Sequence, residues 1–315
     1  MIDLLESEPF LEVKKTFNQY IQQINKSKSV TLFASADLDS IIGLSFIEAA
    51  FLDANIPYAR KILNSRVHNQ QGDSTEIDHN SGLSLIIEPD EDTWEIESLD
   101  LNENLIKLVP ISISVRQGES NKKRRGALDS VLQCAVIAYS IAPNGSRVRR
   151  LRPHIASGLW LRKSLDNTFD PVHTWIRDQL RDEGTINVVP LPEVPNPGIE
   201  MLEGISKNML NRLRKKWQTM DAGQRSQALS ELALPCLEKC NLSTPRLEEL
   251  IWHRILVGGN DQDIHSQIHT IERDWPIIEV EDKKYAQRIL TSLISSGLLI
   301  PVSYTHLRAH ETRFY

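Results

Sequence analysis

The chain has 315 residues, 40% of them hydrophobic and 25% charged, so it can bury a sizeable core and is neither disordered nor fibrous. Thirty-six Lys and Arg against 42 Asp and Glu leave a net charge of −6, which excludes a wholesale polybasic binder. Three Cys are too few for a disulfide framework, no apolar run approaches the roughly 20 residues of a membrane span, and the start MIDLLESEPF is acidic where a targeting peptide is basic; a cytoplasmic protein without a membrane partner is expected.

In chain order, residues 8–26 place Phe10, Val13, Phe17, Tyr20, Ile21 and Ile24 mostly three and four apart, which predicts an amphipathic helix. Ser29 to Ala34 is a short apolar run, SADLDS a polar turn, Ile41 to Leu52 a buried helix, and Tyr58 to Leu63 a second strand; that order makes a parallel β-α-β unit. Leu83 to Ile87, Leu105 to Val109 and Ile111 to Val115 add strands. The predicted fold class is therefore α/β, a mostly parallel sheet of about five strands flanked by helices. Helical text follows over Ala127 to Ile141, Leu151 to Arg162 and Val172 to Arg181.

Four prolines within Val188–Gly198 predict an extended connector. Beyond it, helical periodicity runs through Met209–Trp217, Ala222–Cys240, Arg246–Val257, Ile264–Trp275 and Lys283–Ser296. The expected division is an α/β domain over 1–185, a proline-rich connector over 186–199 and a helical domain over 200–301. From Val302 the text (VSYTHLRAHETRFY) changes character and resembles the translated read-through of a sequencing adapter. Residues 302–315 are accordingly expected to be non-native, with natural sequence continuing past Pro301.

Charge is segregated along the chain. Residues 73–107 hold 11 acidic residues against Lys107, and residues 116–163 hold 11 basic residues against Glu119 and Asp129. The basic set Lys122, Lys123, Arg124, Arg125, Arg147, Arg149, Arg150 and Arg152 is a candidate surface for the phosphates of single-stranded DNA, with plain solvation or internal pairing as the alternative. Should those arginines be spent internally, Lys207 to Lys216 (KNMLNRLRKK) is the next basic surface. Cys236 with Cys240 and His265 with His269 each stand four apart, a spacing that permits zinc, but no C-x-x-C signature accompanies them and ordinary packing is the expectation.

The most informative segment is the strand-to-helix turn holding Asp37 and Asp39. Ligands gather beyond the carboxyl ends of parallel strands, and two carboxylates two residues apart on an extended turn can face one hard cation. Asp before a helix is equally the ordinary N-cap choice. The stretch FASADLDSIIGLSFIEAAFLDANIPYARKIL resembles the opening of the DHH phosphoesterase superfamily, RecJ-like nucleases included, and Gly126 to Trp160 resembles the helices after that family's third and fourth motifs. The resemblance implies manganese or magnesium held by Asp37, Asp39 and Glu88 or Asp90, and an active phosphoesterase or 5′-to-3′ single-strand exonuclease as one outcome. A degenerate branch of the family, which includes a replicative-helicase subunit, serves as a scaffold.

Departures from the family pattern favour that branch. Ser35 and Ser40 stand where a His and a Gly usually flank the paired Asp, LVPISISVRQG has neither the namesake His nor an Asp, and IASGLWLRK lacks the fourth Asp. Two metals need a bridging carboxylate and several further ligands. The expected function is thus a non-catalytic replication or repair protein that binds partner proteins and DNA, with at most a weak, vestigial Mn or Mg site.

Overall fold

The computed structural model describes residues 4–66, 82–89, 102–117, 122–162, 170–239, 242–258 and 260–300. The apolar runs become a four-stranded parallel sheet: β1 (Val30–Ser35), β2 (Tyr58–Leu63), β3 (Leu83–Ile87) and β4 (Leu105–Leu108), ordered β2-β1-β3-β4. β3 is buried throughout, as expected of a strand covered on both faces. The register pairs Ala34 with both Ile62 and Ile87, so the carboxyl ends of β1, β2 and β3 finish level with one another.

Helix α1 (Lys14–Lys26) buries Phe17, Tyr20 and Ile24 on its apolar stripe. Helix α2 (Leu38–Ala54) is apolar all round and buried over most of its length, which places it at the centre of the molecule rather than on its surface. It ends in a left-handed Asn55, φ 56°. Helix α3 (Ser130–Ile141) packs along α2. Their approach is close at Gly43, where an added Cβ would lie 3.2 Å from the Cys134 sulfur.

The structure departs from the sequence reading at three elements. β5 (Ile111–Gln117) does not continue the sheet but pairs antiparallel with β6 (Lys122–Leu128), after Pro110, which has no amide to donate to a ladder. The sequence reading had no strand over β6, because Lys122 to Arg125 show no apolar alternation; all four are exposed. The helical text over Leu151 to Arg162 divides into α4 (Ser146–Leu151), a 3-10 turn over Arg152–Ala156 containing Pro153, and α5 (Ser157–Leu161).

Helix α6 (Pro171–Asp182) starts at Pro171 with Asp170 as its cap. The proline-rich segment carries β7 (Asn187–Val189), which pairs with β8 (Arg254–Leu256), and a 3-10 turn over Leu191–Glu193. β8 therefore ends the helical text that began at Arg246, so α9 spans Thr244–Trp252. The remaining helices are α7 (Lys207–Trp217), α8 (Ala222–Lys239), α10 (Ile264–Arg273) and α11 (Glu279–Ser296). α11 returns to pack on α2 and α4, and one apolar core runs from Leu4 to Leu299. Among the described residues no helix is long and apolar enough to cross a membrane.

Candidate functional site

The strand order β2-β1-β3 makes the crevice between the ends of β1 and β3 a topological switch point, where chain connections leave in opposite directions and ligands of open α/β sheets bind. Asp37 and Asp39 follow β1, Ser65 and Arg66 follow β2, and Glu88 follows β3. Asp37 holds the N-cap position of α2, yet its side chain accepts nothing from the helix amides. Its Oδ1 accepts from Ser65 Oγ at 2.6 Å, and its Oδ2 from the Arg66 backbone N at 3.2 Å and Nε at 3.0 Å. The ordinary capping role is therefore not what this carboxylate does.

Asp39 completes a clamp. Arg66 Nη2 lies 2.8 Å from both of its carboxylate oxygens, and the Ser40 amide donates to Oδ1 at 2.8 Å. Ser35 and Ser40, standing where the resembled family has its His and Gly, hydrogen-bond each other at 2.8 Å. Burial pushes the Asp39 carboxyl up from the ordinary carboxylate range, with Arg66 pulling against it and the charge on Asp37 adding to the rise. Arg66 is raised in turn: its desolvation, which would lower it, is outweighed by the two carboxylates it serves.

A hard cation binds carboxylate oxygens at roughly 2.0–2.6 Å and needs their lone pairs. Here all four oxygens of Asp37 and Asp39 already accept from serine or arginine donors, and the guanidinium supplies the positive charge. Glu88 sits at the same sheet edge but its carboxylate pairs with Lys107 at 2.7 Å, on the side of β4. Asp90 lies outside the described residues. No group of three or more His, Cys, Asp or Glu among the described residues is arranged to hold a metal ion. As placed, a cation at the Asp37 and Asp39 oxygens would compete with the Arg66 guanidinium.

Three residues near this edge carried no signal in the sequence. Arg66 stands three residues past the end of β2, and the level ends of β1 and β2 bring it to the aspartates. Asp129 caps α3 by accepting from the Leu132 amide at 2.9 Å, and burial pushes it up to about 6. Beside it, Ser130 Oγ donates to the Glu88 carbonyl at 3.3 Å, tying α3 to the end of β3. Glu272 on α10 is also pushed up to about 6, first by crowding of protein around it; the pull of Arg246 opposes this and the charge on Asp39 adds to it.

The predicted basic surface divides. Lys122, Lys123, Arg124 and Arg125 remain exposed on the β5–β6 ribbon, with Lys123 3.5 Å from Glu12 and Arg125 Nε donating to Ser112 at 3.1 Å. Arg147 pairs with Asp53 at 2.8 Å, while that carboxylate also accepts from the Arg147 and Val148 amides that start α4. Arg149 donates to Asn144 at 2.6 Å, and Arg150 to the Ile294 and Ser295 carbonyls that end α11. Arg152 is 1% exposed, forks onto Glu183 and lies 4.7 Å from the Tyr139 ring. This corrects its assignment to a phosphate-binding set: its donors are spent inside the fold.

The residues with zinc-permitting spacing are only partly described. Cys236 is buried, Cys240 lies outside the described residues, and the His265 ring rests 4.0 Å from the Trp160 ring and 3.6 Å from Asp263.

No family model matches the chain, and no curated protein matches it. Among solved structures, CDC45 from Entamoeba histolytica is similar to it over 90% of this chain and 68% of that one, with 12% sequence identity and a TM-score of 0.49.

Proposed function

We propose that this chain is a non-catalytic, RecJ-like member of the DHH phosphoesterase superfamily that works in DNA replication or repair by binding partner proteins. The observation that carries the reading is the Arg66 clamp, in which one guanidinium takes up Asp37 and Asp39 at the switch point of the sheet. A two-metal phosphoesterase needs those carboxylates as open, bridging ligands. An internal cation in their midst keeps the turn folded while removing the chemistry, which is the physical signature of a fold retained as a scaffold.

Support for the family comes from the strand, paired-Asp turn, helix and strand over Phe33 to Leu63, which resembles the family's opening apart from Ser35 and Ser40. Contact with single-stranded DNA is the second part of the proposal; of the predicted basic residues, Lys122 to Arg125, Arg149 and Arg150 are exposed. Titration of the full chain with Mn²⁺, followed by loss of the free-ion paramagnetic signal, tests the first part. No saturable uptake is expected. One-site uptake by the wild type that disappears in Asp39→Asn would overturn the reading.

A further inference from the structure

Helix α7 is pinned to the body by one side only. Leu210 and Trp217 are 3% exposed, Trp217 Nε1 donates to Glu193 at 2.8 Å, and Arg214 reaches the carbonyls of Pro192 and Val194. At about 100° per residue, Lys207, Asn208, Asn211, Arg212, Lys215 and Lys216 fall in the opposite half of the helix. All six are exposed. Among the described residues, the side chains of Lys207, Arg212, Lys215 and Lys216 make no hydrogen bond or ion pair, whereas those of Arg147, Arg150 and Arg152 are all engaged internally.

Helix electrostatics accounts for only part of this face. Lys215 and Lys216 lie in the last turn, where cations complement the helix dipole, but Lys207 is the first helical residue after the Ser206 cap, where a cation is disfavoured. Arg212 stands three and four residues before Lys215 and Lys216, so like charges are neighbours with no acid on the helix between them. Of the acids around the helix, Asp221 caps α8 through Gln224 and Glu193 holds Trp217, while Glu203 and Glu200 precede the helix in sequence. A fixed row of mutually repelling cations is relieved by a polyanion from outside.

From this charge complementarity we infer that the exposed face of α7 binds the phosphate backbone of a single nucleic-acid strand. The face carries no ring for base stacking, and its uncharged members are the Asn208 and Asn211 amides, which suit phosphate and sugar oxygens rather than the apolar anchors of a protein partner. That a single strand is bound rather than a duplex rests on the DNA-binding part of the proposed function. The inference extends the DNA-binding part of the proposed function and is independent of the Arg66 clamp.

The test is fluorescence anisotropy of a labelled oligothymidylate with the full chain across a salt series. Four contacts at ~0.7 each predict a log-log slope of roughly −3, or about 50-fold weaker binding between about 50 and about 200 mM salt. The quadruple variant Lys207→Gln, Arg212→Gln, Lys215→Gln, Lys216→Gln should lose most of that slope with an unchanged circular-dichroism spectrum. The ribbon variant Lys122→Gln, Lys123→Gln, Arg124→Gln should keep it. An unchanged slope in the α7 variant, or loss confined to the ribbon variant, overturns the inference, the latter leaving the DNA-binding proposal intact. Equal binding of poly-glutamate, or stronger binding of a duplex of the same length, would likewise contradict the assignment.

Discussion

Removing the Arg66 guanidinium would leave Asp37 and Asp39 facing each other without a counter-charge. Since the side chain is 42% exposed, the cost is discounted from that of a buried pair to about 1–2 kcal/mol. Arg66→Ala should therefore lower the unfolding midpoint, and Asp39→Asn should recover part of the loss, a coupling that thermal denaturation of the double-mutant cycle measures. Two other residues give the fold opposed responses to acid. His154, 1% exposed with Nε2 2.8 Å from the Gly297 carbonyl, is driven down to about 4 by burial, so the stability tied to its neutral form is intact above about pH 6.5 and is lost as pH falls towards 4. Asp129, raised to about 6, contributes in the other sense: its stabilisation is complete below the ordinary carboxylate value and is lost as pH rises through about 6. Relative to the wild type, His154→Gln should gain stability between pH 6.5 and 4 and Asp129→Asn should lose it, which denaturant melts at a series of pH values read directly.

Between elements, buried charge rather than apolar area alone fixes several junctions. Arg254 on β8 is fully buried and spends its donors on Asp263 at 3.0 Å, Ser266 at 3.3 Å and the Gly198 carbonyl at 3.2 Å, tying the connector to α10. Arg254→Met leaves Asp263 buried without its arginine, held only by Ser266 and His265; a loss of up to about 3–5 kcal/mol in chemical denaturation is expected. At the end of α11, Gly297 adopts φ 72°, and a Cβ there would lie 2.4 Å from Arg150 Cγ. Gly297→Ala should cost more than the ~1 kcal/mol of the left-handed conformation alone, because Arg150 must also give up the carbonyls that it caps. Such junctions are where the sequence is least legible. Arg152 and Arg254 look like surface residues until their partners, 31 and 9 residues away, are in place. β6 is hidden because its pairing with β5, not its own pattern, makes it a strand.

For the whole molecule, the parallel β-α-β opening was legible because apolar runs of strand length, a polar turn and an apolar helix leave few other arrangements. The acidic turn was legible for the same reason, since any residue just past β1 must lie at the sheet's carboxyl edge. What neutralises it was not, because Arg66 reaches the turn only through the level ends of two strands separated by a whole helix. The central proposal is that this edge has kept the architecture of a phosphoesterase site without its chemistry. Incubation of the full chain with a 5′-labelled single-stranded oligonucleotide across a Mn²⁺ series, resolved on a denaturing gel, tests that claim most directly. An undegraded substrate at every concentration is the predicted result; Mn²⁺-dependent digestion that Asp39→Ala abolishes would contradict it.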